Sequence, residues 1–216
     1  MLPYSLEYLG SRLIPEPIVA STFADVGSKM RVQHRRFGQV GLWIPSWLIR
    51  HFRGMIYQLG RLQFERSQLP EPLVESVRAA GFDYQAGDAV LALHIPDFMG
   101  PMSPAACDDS FRQAREFFPQ YFPEMQMEIA FCNSWLLDTQ LPDHLPATTN
   151  IVQFQQRFVI PVQAERDDSS VATFVWGRDS MPEVVTDEST SLERALIAHR
   201  QNGGHWGSGL GWLRLP

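Results

Sequence analysis

The stretch from Ala89 to Leu137 constrains the fold more than any other part of the chain. Ala89 to Ile95 is a compact apolar run, of a length that suits a strand buried on both faces. It ends in His94-Ile95-Pro96, passes through the turn Asp97-Phe98-Met99-Gly100-Pro101-Met102, and reaches Ser103-Pro104. Serine followed by proline pairs an N-cap with a first helical position, so a helix is predicted to start there. Cys107, Phe111, Ala114 and Phe118 give that helix an inward face, and Pro119 is expected to stop it. Met127 to Leu137 reads as a second apolar strand, with Ile129, Phe131, Asn133, Trp135 and Leu137 alternating against Ala130, Cys132, Ser134 and Leu136. Two strands joined by a helix of this length are predicted to lie side by side and parallel, because a right-handed crossover is the standard closure. A ligand cleft is then expected at their C-terminal ends.

The flanking segments fill out an α+β chain. Pro17 to Phe37 is helix-compatible. Ser46 to Leu59 places Leu48, Phe52, Met55, Ile56 and Leu59 at helical spacing and is closed by Gly60, which predicts a second helix. From Arg61 to Arg66 the period changes to two, with Leu62 and Phe64 on one side and Arg61, Gln63 and Glu65 on the other, the pattern of a half-buried strand. A short helix is predicted over Pro72 to Ala80 and another around Asn150 to Gln156. Phe158 to Gln163 and Val171 to Trp176, joined by a polar loop, read as a hairpin. A helix over Ser191 to Gln201 and a strand over Gly211 to Leu215 close the series, and the Gly207-Ser208-Gly209 segment reads as a loop.

Composition excludes several classes. The chain of 216 residues fits one domain, 1–216, whose first 60 residues are mainly helical. No run approaches the roughly 18 to 20 apolar residues of a membrane span, and the N-terminus lacks the basic start and long apolar core of a secretory signal. A cytoplasmic protein without a membrane partner is expected. Residues 1–66 carry nine Lys/Arg against four Asp/Glu, the rest nine against twenty, for a net charge of -6. Such an acidic chain is a poor match for nucleic acid, and the two oppositely charged halves are expected to attract each other within one fold. Cys107 and Cys132 stand outside any zinc spacing, and neither His199 with His205 nor Asp143 with His144 forms a convincing metal set, so no metal is expected.

The chemistry gathers at the Gly100 turn. Backbone N–H groups at a capped helix start, with about half a positive charge from the helix dipole, attract anions, and glycine lets a phosphate approach the backbone. Taken together, Gly60-Arg61-Leu62-Gln63-Phe64-Glu65, His94-Ile95-Pro96, Gly100-Pro101-Met102-Ser103 and Cys132-Asn133-Ser134-Trp135-Leu136-Leu137 resemble bacterial acyltransferase-domain proteins with a GNAT-like C-terminal domain. The resemblance runs from about Arg35 to the C-terminus, and the extra N-terminal domain of that family is expected to be missing.

That resemblance implies a GNAT-like mixed sheet whose central parallel strands splay apart, with the pantetheine arm of acetyl-CoA or another acyl-CoA lying in the gap as co-substrate. Leu93, His94 and Ile95 would present backbone groups to the pantetheine and thioester, and Gly100, Pro101, Met102 and Ser103 would frame the pyrophosphate. The superfamily's usual phosphate loop, Q/R-x-x-G-x-G/A, has no match after His94; Arg35-Arg36-Phe37-Gly38-Gln39-Val40 comes close but lies earlier. The tyrosine that often acts as general acid has no counterpart between Asn150 and Arg157.

Direct transfer of an acyl group to a small-molecule or peptide amine needs a base, an oxyanion donor and an acid for the leaving thiolate. His94 is the candidate base because imidazole titrates near neutral pH. Glu65 on the neighbouring strand and Ser134 on the other splayed strand are the further catalytic candidates. Cys132 shares a strand face with Ser134 and is a weaker one. Gly207-Ser208-Gly209 lacks the G-x-S-x-G pattern of a serine hydrolase. The alternative from a different class is a non-catalytic binding module that keeps the fold.

Overall fold

A computed structural model describes residues 2–125 and 127–215, so Met1, Gln126 and Pro216, which the single-domain range 1–216 includes, lie outside the described residues. Two helices the sequence suggested only in part open the chain: α1 (Leu2–Ser11) and the long α2 (Glu16–Phe37). The near-match to a phosphate loop at Arg35 to Val40 is the end of α2, where Gly38 takes a left-handed cap with φ 65°.

The helix expected over Ser46 to Leu59 is half helix and half strand. The helix α3 (Pro45–Phe52) ends before Gly54, whose left-handed φ of 60° turns the chain, and the strand β1 (Ile56–Leu59) follows. A Cβ at Gly54 would come within 2.6 Å of Tyr8, so the stop is fixed by tertiary contact as well as by φ. Gly60, read as a helix terminator, opens a tight hairpin into β2 (Leu62–Gln68), with Leu59 paired to Leu62. Its φ is 64° while Arg61 stays at negative φ, the φ pattern of a type II′ turn. Leu62 through Glu65 are buried on both faces, not half-buried, because helices cover each side of this part of the sheet.

A 3-10 turn (Glu71–Leu73) and α4 (Val74–Ala79) lead into β3 (Ala89–His94). The Ser103 hydroxyl accepts from the backbone N–H of Ala106, capping α5 (Pro104–Tyr121) as the sequence predicts. Helix α5 runs past Pro119 by two residues, since Phe117, Phe118 and Phe122 cluster with Tyr57 and hold its last turn on the sheet. The next strand, β4 (Ile129–Ser134), is shorter than predicted at both ends. Trp135–Leu137 curl into a 3-10 turn that the Ser134 hydroxyl caps by accepting from Leu136 N–H.

Beyond it come α6 (Leu141–His144), α7 (Asn150–Gln155) and β5 (Val159–Ala164). The predicted hairpin does not form. Asp168–Val171 is a turn of helix, α8, and Ala172–Trp176 a π-turn, while β5 pairs with the last strand instead. A capping box at Thr190 and Glu193 starts α9 (Ser191–Gln201). The final strand β6 (Ser208–Arg214) begins inside the segment read as a loop.

The strands form one mixed sheet in the order β1-β2-β3-β4-β6-β5. Among the described residues only β3 and β4 pair in parallel, and α5 connects them. Period two decides which side each residue serves. Leu91, Leu93, Ala130 and Cys132 face the α5 side with Cys107, Phe111, Ala114 and Phe118, whereas Val90, Ile129 and Trp212 pack with Leu73 and Val77 under α4. This is an α+β fold, one mixed sheet flanked by helices.

Candidate functional site

The central parallel strands pair at only two positions, Leu91 with Ala130 and Ala92 with Phe131. Beyond these the strands part, and a cleft of about 560 Å³ opens at their C-terminal ends. Leu93, His94 and Ile95 line it from β3 and just beyond, Cys132, Asn133 and Ser134 from β4. Helix α3 and the segment before it add Trp43, Ile44 and Trp47, while Asp167, Ser170 and Phe174 close another side.

His94 and Glu65 meet because of register. Gln63 pairs with His94 and Glu65 with Ala92, so both side chains leave the sheet on the same face, diagonal neighbours on adjacent strands. His94 Nε2 lies 2.9 Å from Glu65 Oε2, and Arg50 Nε donates to Glu65 Oε1 at 2.9 Å. Burial pushes the Glu65 carboxyl upward, yet His94 and Arg50 outweigh it and hold the group below its ordinary range. The carboxylate is thus ionised and is placed to accept a proton shared from His94 Nε2.

Ser134 stands at the lip of the other splayed strand. Its oxygen accepts from Leu136 N–H at 3.1 Å, so its own hydroxyl proton remains to be donated. Burial pushes the Cys132 thiol up to about 12, so the group stays a neutral thiol in the wall of the cleft.

Gly100 to Ser103 are not part of the cleft's lining. They form the approach to α5, with Gly100 exposed at φ 75° and Met102 buried. The link between this turn and the cleft is Arg61, which the sequence placed on the outward side of a strand and within the Gly60 to Glu65 segment, with no role of its own. It lines the cleft, donates from Nε to Gly100 O and from Nη1 to Pro96 O, both at 2.8 Å, and so clips the whole turn into shape.

The residues that sequence reasoning missed come mainly from the first 54. Trp47, Arg50 and Lys29 carry no motif, and their neighbourhood to His94 exists only once α3 is laid across the sheet. A second, polar groove of about 820 Å³ lies between α8, α9 and residues 179–183, sharing Asp167 with the cleft. It is larger but holds none of the predicted residues. Among the described residues no three His, Cys, Asp or Glu side chains gather to hold a metal ion, and no helix is long and apolar enough to cross a membrane.

Comparison with known proteins agrees with this geometry. Residues 56–213 match the model of the GNAT-like C-terminal domain, and residues 1–54 match that of the N-acyltransferase N-terminal domain. The second match corrects the expectation that the family's N-terminal domain is missing, since its helices carry too little motif to be read by eye. No curated protein matches the chain. Among solved structures, it is similar to an acyltransferase in complex with decanoyl-CoA and teicoplanin, at 33% identity and a TM-score of 0.86 over 99% of this chain and 63% of the other. An acyltransferase in complex with decanoyl-CoA matches at 31% identity and 0.87, over 100% and 63%. One in complex with CoA and 10C-teicoplanin matches at 32% and 0.85, over 99% and 63%. The chain therefore spans less than two thirds of the length of these structures. With a match across residues 56–213, the chain belongs to the family of the GNAT-like C-terminal domain.

Proposed function

We propose that this chain carries the site of an acyl-CoA-dependent N-acyltransferase, moving an acyl group from CoA to the amine of a peptide or small molecule by direct transfer. The observation that carries the reading is the gap beyond Leu91 and Ala92, where the strands part beside a Glu-oriented histidine. The acyl-CoA complexes of the similar acyltransferases support the donor, and the teicoplanin in one of them supports a peptide-like acceptor.

In this reading the pantetheine lies between β3 and β4 with its thioester near Leu93 to Ile95. His94 Nδ1 takes a proton from the amine as its nitrogen attacks the thioester carbonyl. The imidazolium that forms is stabilised by the Glu65 carboxylate at Nε2, in the way a buried carboxylate serves other catalytic histidines. The tetrahedral intermediate collapses with cleavage of the C–S bond, the Ser134 hydroxyl is placed to protonate the thiolate, and the imidazolium proton, passed through water, restores that hydroxyl and returns His94 to its starting state. Gly100 to Ser103, shaped by Arg61, would receive the pyrophosphate outside the cleft proper.

His94→Ala tests the assignment. Loss of a positioned base costs about 10² to 10⁴ in rate, so kcat on an amine panel should fall by that factor. The Kd for acyl-CoA, measured by calorimetry, should stay close to wild type because the backbone at residue 94 is retained. Wild-type protein that binds acyl-CoA but transfers to no amine would favour the binding module; protein that binds none would refute the reading outright.

A further inference from the structure

Helix α3 touches both members of the His94–Glu65 pair, and a single buried carboxylate on α2 holds α3 in place. The Trp47 ring packs edge-to-face on the His94 ring, 4.6 Å between centroids at 82°. Arg50, one turn on and on the same face of the helix, reaches Glu65 at 2.9 Å and lies 5.0 Å from the Trp47 ring centroid. Trp47 does not simply fill space. Its indole Nε1–H is donated to Asp25 Oδ2 at 2.9 Å.

Asp25 is 1% exposed. Besides Trp47 it has His51 Nε2 at 3.1 Å and Lys29 Nζ at 3.3 Å. Burial alone would raise its carboxyl, but His51, Lys29 and Trp47 more than offset this and bring it down to about 2. A buried ionised group surrounded in this way is a fixed point, because loss of one partner leaves an uncompensated charge. A tryptophan needed only as an apolar wall would not require such an anchor.

We propose that Asp25, Trp47 and Arg50 are positioning residues for the His94–Glu65 pair, so that the N-terminal helices form a working part of the transfer site. The proposal rests on the reading of His94 as the base. Trp47 sets the plane of the imidazole, Arg50 fixes the carboxylate that orders its tautomer, and Asp25 ties Trp47 to α2. A misplacement of about 1 Å can cost up to about 10² in rate, which sets the scale.

Trp47→Phe keeps an aromatic ring against the cleft and removes the tie to Asp25. It should lower kcat about tenfold with KM for acyl-CoA within about twofold of wild type, the signature of a loss confined to the reacting geometry. Asp25→Ala, which also deprives His51 and Lys29 of their partner, should lower kcat at least as much, and adding Trp47→Phe to it should cost no more, since the tie to Trp47 is already cut. Nitrogen-15 NMR of the His94 ring gives a readout independent of turnover: the Nε2–H signal, sharp in wild type, should broaden or shift in Trp47→Phe. Unchanged kcat with an unchanged His94 signal in Trp47→Phe, or a loss carried by KM, would overturn the proposal. If wild type transfers no acyl group but the His94 signal still moves in Trp47→Phe, the positioning stands and the acyltransferase reading falls instead.

Discussion

Gly100 shows how a residue noticed in the sequence for one reason is held in the structure by others. From sequence, glycine there meant a bare backbone for a phosphate. The structure adds a left-handed φ of 75°, a carbonyl held by Arg61, and open space where a Cβ would point. Gly100→Glu is therefore tolerated sterically but pays a backbone cost of about 1–2 kcal/mol and sets a carboxylate where the reading places a pyrophosphate. Acyl-CoA affinity by calorimetry is expected to fall at least about tenfold, with the folded structure retained by circular dichroism. His94 and Glu65 were each legible as polar residues at a strand end or on a strand face. That they bond to each other was not, because pairing of Gln63 with His94 is a matter of register, which alternation alone leaves free. Arg61 was legible only as charge; its two carbonyl partners lie 35 and 39 residues away.

Among the elements, the strand–helix–strand unit was readable because its signals are local: a Ser-Pro cap, an aromatic stripe and two apolar runs. The errors fall where tertiary contact overrides local pattern. Ile56 and Leu59 continue a helical spacing from α3, yet both faces of β1 are buried, and Thr22 on α2 accepts the N–H of Gln58 at its edge. Val171 to Trp176 has strand-like residues but no neighbour, because β6 takes the place beside β5. The glycines of Gly207-Ser208-Gly209 are there for close approach and not for flexibility. A Cβ at Gly209 would stand 2.3 Å from the Leu137 carbonyl oxygen, and one at Gly207 2.0 Å from that of Ala164. Backbone cannot step aside as a side chain can, so Gly209→Ala should destabilise the protein by about 1–3 kcal/mol. Urea unfolding measures this; a loss under about 0.5 kcal/mol, the usual range for an uninvolved site, would show that β6 shifts freely.

For the whole molecule, the opposite charges of the first 66 residues and the remainder do meet. Arg12 pairs with Glu124 and Arg36 with Asp179, while Arg50 reaches Glu65 within the basic part. The exposed pairs contribute little to stability; the buried charge matters more. Asp25 is lowered from an ordinary value of 3.8 to about 2, and Glu65 is lowered too. A carboxyl depressed on folding stabilises the native state above its unfolded value and loses that contribution as pH falls through its folded value. Asp25 should thus provide about 2 kcal/mol that is complete above about pH 4 and drains away towards about pH 2. Denaturant titrations across that window should show a flatter pH dependence for Asp25→Asn than for wild type; equal slopes would mean Asp25 is not the group being titrated.

The sheet order also dictates when the cleft can exist during synthesis. Strand β4, one wall of the gap, borders β3 on one side and β6 on the other, and β6 is made some 70 residues after β4, later than the other five strands of the sheet. Until residue 208 and its successors emerge, β4 is a bare edge carrying Ile129, Phe131 and Cys132, the kind of surface that invites pairing with another chain. A nascent or truncated chain that stops short of β6 therefore presents an adhesive strand edge where the folded protein presents a cleft, and Gly207 and Gly209 are what let β6 come close enough to cover it.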